Sequence, residues 1–295
     1  SYTVLWMIIL VFFGTLAQKD IGLYESQMRY FSSYFFLLGG FIPLPGGRLV
    51  LLIMTINLAA SLFKKNLWKV KKTGIIIVHL GGLLLLLGGG VTALFSSEGN
   101  MVIAEGETSN HVDDYFDMEL AFVNTSRDDS LEYTVFDAPL LNDGNSITYE
   151  DFGIQIDIIS HMENVRIESR ISPAEKIYKG FLKEFVLLPL RPEKEATQNR
   201  PGIIIKLSGL SSEKDGIYGI FLGQKTPDTF QINGDLYFTE FRRKRTYLPF
   251  SISLLDFEKI MHPGTNVAKS YSSEVNLIEN SIPRRILIQM NEPLR

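Results

Sequence analysis

A membrane protein is predicted, with three transmembrane helices inside residues 1–95 and a large, mainly β extracytoplasmic domain over residues 96–295. Two observations lead there. Long apolar runs fill most of the first 95 positions and the remainder is mixed and polar, although the chain as a whole is an ordinary 45% hydrophobic. Charge is partitioned in the same way. Residues 1–95 hold 8 of the 29 basic and 2 of the 33 acidic side chains, which leaves 21 and 31 for the rest, a net charge of −10 there. Such a distribution excludes a disordered chain and a plain cytosolic enzyme. With no cysteine in 295 residues it also excludes a disulfide-stapled module and thiol chemistry of the chain's own.

The spans follow in order. Residues 2–16 are apolar but start without an initiator Met or a basic leader, so they read as a spanning helix that begins upstream rather than as a signal peptide. Residues 49–63 are shorter. They are preceded by Gly46 and Gly47, and Arg48 can snorkel to the interface. Residues 73–95 carry no charge over 23 positions, roughly 34 Å of helix at 1.5 Å per residue, enough to cross a hydrocarbon core with some tilt. Between the second and third spans, residues 64–72 hold five lysines and no acid, with Trp68 where an interfacial aromatic belongs. A loop this short and basic stays in the cytoplasm. The segment 18–48 and everything after Ser96 are then outside, and an acidic outer domain gives no reason to expect nucleic acid. The run Arg242-Arg243-Lys244-Arg245 reads as a solvated strand end.

The outer part reads as β. Alternating or β-branched stretches lie at 101–104, 116–123, 133–136, 153–159, 202–207, 217–222, 236–241, 250–255 and 284–290, separated by turn signals such as Asn142-Asp143-Gly144 and Pro263-Gly264. Asn233-Gly234 is a tight hairpin signal. A helix is expected over 173–181 and a loop over 189–199. Two hundred residues suffice for one core.

Chemistry-bearing residues are few. The histidines are His79, His111, His161 and His262, with no metal-ligand spacing between any two, and no nucleophile elbow, phosphate loop or zincin pattern is present. Asp113 and Asp114 read as solvent-facing. Asn124-Thr125-Ser126 fits a glycosylation sequon, a pattern short enough to arise by chance.

His79 stands apart, because an imidazole inside a span must find a partner and marks a functional site by default. Helical spacing puts His79, Gly82, Leu86 and Gly90 on one stripe, roughly 10 Å above Lys72 at His79. Two readings stand. In one, His79 bonds to another helix and the glycines allow close packing. In the other, the imidazole is an axial ligand to haem iron, with Gly82 and Gly90 leaving room for a flat ring and a second ligand coming from elsewhere.

Several motifs occur in the order found in one family. They are Gly14-Thr15-Leu16-Ala17-Gln18 at the end of the first span, His79-Leu80-Gly81 after the basic loop, Glu105-Gly106-Glu107, Leu248-Pro249-Phe250-Ser251-Ile252, His262-Pro263-Gly264-Thr265, Tyr271-Ser272-Ser273-Glu274-Val275 and Ile288-Gln289-Met290-Asn291-Glu292-Pro293-Leu294. On these the chain resembles the ResB (Ccs1) family of system II cytochrome c biogenesis proteins. The resemblance implies a partnership with CcsA, separate or fused beyond Arg295, in a synthase that moves haem b across the bacterial inner membrane. That synthase joins haem to the CxxCH thiols of apocytochrome c on the periplasmic side. It further implies that His79 is a haem-iron ligand with CcsA supplying the opposite one, and that a fourth span follows residue 295. His262 would only shape its turn. With no cysteine in these 295 residues, any reduction of the apocytochrome falls to a part of the protein beyond them, to CcsA or to a separate thioredoxin-like partner. Whether such a component counts as an enzyme depends on where the complex is drawn. The competing class is a membrane-anchored β domain acting as an assembly or chaperone-like factor without haem.

Overall fold

A computed structural model describes residues 2–63, 69–96, 98–126 and 131–294, so Lys64, Lys65 and Trp68 of the basic connection lie outside the described residues. The chain forms two compact units, one from residues 1–97 with 191–199, the other from 98–190 with 200–295.

In the first unit, helix α1 (Tyr2–Ile21) runs five residues past the expected end and leads through a short helix α2 (Leu23–Ser26) into a π-helical turn, Gln27–Phe31. A hairpin, β1 (Phe35–Leu38) with β2 (Ile42–Pro45), then delivers α3 (Gly47–Leu62), and α4 (Thr73–Phe95) follows. Segment 18–48 is thus folded against the helices. Gly14 is what allows this: a Cβ there would sit 2.6 Å from the Phe31 ring, and the Gly14 carbonyl accepts the Ser26 hydroxyl at 2.6 Å. Trp6 Nε1 donates to the Pro45 carbonyl at 3.0 Å, and Leu10, Phe36 and Val50 form the small buried cluster of this unit. The segment 191–199 joins here through Lys194, whose ammonium donates to the Lys19 carbonyl.

Two helical stretches, Tyr2–Ile21 and Val70–Phe95, are long and apolar enough to cross a membrane, and Gly47–Leu62 is a shorter apolar helix. Most of their large apolar side chains are exposed within the chain itself, as for helices whose solvent is lipid or another protein.

The second unit begins with β3 (Gly99–Asn100), β4 (Thr108–Asn124), β5 (Glu132–Asp137), β6 (Ser146–Tyr149) and β7 (Ile154–Met162). A ribbon follows, β8 (Val165–Ser169) with β9 (Phe185–Pro189), then β10 (Gly202–Ser208), β11 (Gly216–Phe221) and β12 (Thr229–Ile232). The chain ends in β13 (Asp235–Met261), β14 (Ala268–Glu279) and β15 (Ile282–Gln289). One sheet has the order β11-β10-β7-β6. The other runs β15-β14-β13-β4-β3, with β12 and β5 also paired to β13 and β4. Period-two alternation explains the core: Leu120 and Phe122 of β4, Ile154 and Ile156 of β7, Ile203 and Ile205 of β10, and Phe230 and Phe241 all turn inward. Asn233 and Gly234 sit at φ 54° and 95°, the positive values a primed hairpin turn needs, between β12 and β13.

Three expectations fail here. Residues 101–104 form no strand. The two stretches at 236–241 and 250–255 belong to one strand, β13. No α-helix forms over 173–181; Tyr178 bridges to Ile217 instead, and a 3-10 turn, Gly180–Lys183, follows. That turn is held from outside by the Asp228 carboxylate, which accepts the Phe181 N–H at 3.2 Å. A segment of nine residues has too little helical cooperativity to resist such tertiary pairing.

Candidate functional site

Helix α4 shows one less exposed face, Ile76, His79, Gly82, Leu83 and Leu86, spaced at three and four residues. Gly82 is the point of close approach to α3, since a Cβ there would lie 3.2 Å from Leu58 Cδ2. His79 is one turn away on the same face. Its Nδ1 lies 2.8 Å from the Ile75 carbonyl. A carbonyl oxygen only accepts, so Nδ1 carries a proton, and in the neutral ring Nε2 then keeps its lone pair. That is the tautomer a metal-ligating imidazole adopts when a backbone carbonyl fixes it. The expected stripe divides: His79, Gly82 and Leu86 are half-buried, whereas Gly90 is exposed, with no described heavy atom near where a Cβ would stand. Gly81, Gly88 and Gly89 are equally open.

The other histidines serve the β unit. His161 carries its ring edge-on to Phe241 at 5.8 Å while its backbone N–H is held by the Asp143 carboxylate, and burial keeps its pKa below the ordinary value. His111 lies beside Tyr247 and 3.9 Å from Asp113. Burial first, then the Arg245 guanidinium, lowers its pKa against the pull of Asp113. His262 is exposed in the β13–β14 turn, where its carbonyl accepts the Thr265 N–H at 3.1 Å. A folded pKa below the unfolded one means stability is fully present above about pH 6.5 and is lost as pH falls through the folded values. The denaturation midpoint of the β unit is therefore expected to drop between pH 7 and pH 5. His161→Gln should flatten that slope, and a slope unchanged by both His161→Gln and His111→Gln would contradict it.

Sequence reasoning missed a charged centre in this unit. The basic run is no solvated strand end but the middle of β13. Arg242 is 4% exposed and its guanidinium packs 4.7 Å over the Tyr133 ring. Its Nε donates to Glu119 at 2.7 Å and its Nη1 to Glu240 at 2.9 Å. Arg243 donates to the Phe116 carbonyl, Lys244 pairs with Asp137 and Arg245 with Asp113. Asp114 is also engaged, accepting the Phe116 and Asp117 N–H groups, each at 2.8 Å, where β4 shifts register against β13. Glu240 comes from β13 itself, but strand pairing supplies Glu119, Asp113 and Asp137 from β4 and β5, over a hundred residues away, so no local pattern announces those three. The sequon is closed: Asn124 is 2% exposed and its amide donates to Asp235 and Tyr237. Among the described residues no group of three or more His, Asp and Glu side chains is arranged to hold a metal ion.

A comparison with curated proteins found no match. The sequence profile of the ResB-like family matches residues 64–167, a stretch that runs from the basic connection through α4 and His79 to the start of β8. Over that segment, about a third of the chain, the sequence is similar to the ResB-like family.

Proposed function

We propose that the chain is the ResB-like component of a system II cytochrome c synthase. It takes up haem b in the membrane through His79 and, with a CcsA-type partner supplying the opposite ligand, presents it to unfolded apocytochrome c. In this reading residues 1–95 cross the bacterial inner membrane three times with 64–72 in the cytoplasm, residues 96–295 stand on the periplasmic side, and a further span follows. The supporting observation is the bond between His79 Nδ1 and the Ile75 carbonyl, which in the neutral ring leaves Nε2 to meet a metal. This occurs on a helix inside the segment that matches the family.

Haem is the cargo, and when bound it offers an iron that accepts imidazole and vinyl groups to which CxxCH thiols add. The chain's own residues bind and orient it; nothing they do requires acid–base work. Gly90 leaves open space along α4 for a flat ring, and Gly82 would do so once Leu58 turns away. With no cysteine in these 295 residues, thiol reduction would come from elsewhere: another part of the protein, the CcsA-type partner or a thioredoxin-like protein.

Co-expression with a CcsA-type partner and an apocytochrome tests the reading. Covalent haem on the cytochrome, stained after denaturing electrophoresis, is expected to fall to background when this chain is omitted. Equal staining without it would overturn the proposal. The haem-free alternative, an anchored assembly factor, has one observation in its favour, because the Ile75 bond also satisfies a polar ring in an apolar helix.

A further inference from the structure

We propose that an open edge of β13, between β12 and β14, takes an extended segment of another polypeptide by strand addition. Arg242 and Gln224 would then hold one of that segment's peptide groups.

The opening follows from the pairing. One side of β13 is covered by β4, in register over 237–247 and again at Ile252 and Ser253. On the other side β12 covers 235–238 and β14 covers 251–261. Among the described residues no strand lies against that side over 239–250. Backbone direction agrees. The Leu236 carbonyl accepts from Thr125, at the β4 side, whereas the Thr239 N–H points the other way, to the Asp228 carbonyl at 3.3 Å. Strand alternation then turns the peptide groups of Phe241 and Arg243 toward the opening.

A cavity of about 260 Å³ lies along this stretch, with Thr239, Phe241 and Arg242 on one wall and Phe221 and Gln224 on another. Two buried side-chain atoms without a partner among the described residues, Arg242 Nη2 and Gln224 Oε1, belong to residues that line it. The Gln224 amide is oriented by its own bond from Nε2 to the Thr226 carbonyl, 3.1 Å, so the unpartnered oxygen is a true acceptor. Leaving such atoms unmatched is costly. One donor and one acceptor on the same cavity match the C=O and N–H of a peptide group. A simple anion matches only Arg242, whose charge Glu119 and Glu240 already balance, and Asp113 and Glu240 also line the cavity. Backbone bonds to an open edge give affinity without a sequence requirement. Identifying the segment as apocytochrome rests on the proposed function; the strand site itself does not involve haem.

The test uses the purified full chain and a 12-residue peptide spanning a CxxCH motif with serine in place of cysteine. Its partner probe is the same peptide N-methylated at alternate residues. Binding of the first is expected to slow amide hydrogen exchange across 239–247. N-methylation and, separately, Gln224→Ala should each weaken binding about tenfold, the latter without altering thermal unfolding. His79→Ala should bind the peptide unchanged, which separates this site from the haem reading. Absence of binding, binding without protection at 239–247, or equal binding of the N-methylated peptide would overturn the proposal. A water bridging Arg242 and Gln224 in the peptide-saturated protein would do so as well. A peptide of equal length without the motif that binds equally supports the strand site and counts against apocytochrome as its specific occupant.

Discussion

His79→Ala is expected to remove haem from the purified complex of this chain with a CcsA-type partner, lowering the Soret absorbance more than tenfold. The helix itself should survive, since alanine is the best helix former and the lost bond is the side chain's own tie to Ile75. Added imidazole should restore much of the band by filling the vacated iron position. A Soret band of wild-type intensity in His79→Ala would remove this residue from haem binding. The protein would then be left as an anchored β domain whose imidazole is satisfied within its own helix.

The second large effect is on stability. Glu119 is 3% exposed, and Arg242, equally buried, is bonded to it across the β4–β13 pair. Glu119→Ala leaves a guanidinium in the interior with only Glu240, at the rim, to balance it. Breaking a buried pair by removing one partner costs about 3–5 kcal/mol. The lower part of that range is expected here, because the Glu240 bond remains. Replacing both residues, Glu119→Leu with Arg242→Met, should recover most of the loss, since two apolar side chains need no partner. Urea denaturation of the wild type and the two variants decides it. A double variant as unstable as Glu119→Ala would show that the pair contributes through packing, with Arg242 over Tyr133, rather than through charge.

What local sequence could show was the periodicity. The uncharged run of α4, the Asn233-Gly234 hairpin and the alternation that buries Phe122, Ile156 and Ile205 are all short-range signals. Long-range pairing was invisible. The four consecutive basic residues read as a strand end and the stretches 236–241 and 250–255 as separate strands, yet β13 continues through the run and through Pro249. A register shift against β4 between Tyr247 and Ile252 accommodates the proline, and acids from β4 and β5 neutralise the run. The hairpin packed beside α1 was hidden for the same reason, since Trp6 and Pro45 are far apart in sequence and meet only in the fold. Of the candidate site, His79 stands out in the sequence because a polar ring in an apolar helix is conspicuous. Its tautomer does not, as it depends on the ring's rotamer. Gln224 and Arg242 gave no signal, because an unmatched atom exists only once its neighbours are in place.

The proposed function requires contact between the His79 imidazole and haem iron. Nitrogen hyperfine spectroscopy of the oxidised complex, assembled from chain labelled with ¹⁵N-histidine and unlabelled CcsA-type partner, reads that contact directly. A ¹⁵N coupling of the size of a directly bound imidazole, lost in His79→Ala, is the predicted result. An iron spectrum showing only ¹⁴N from the partner and the porphyrin would contradict it.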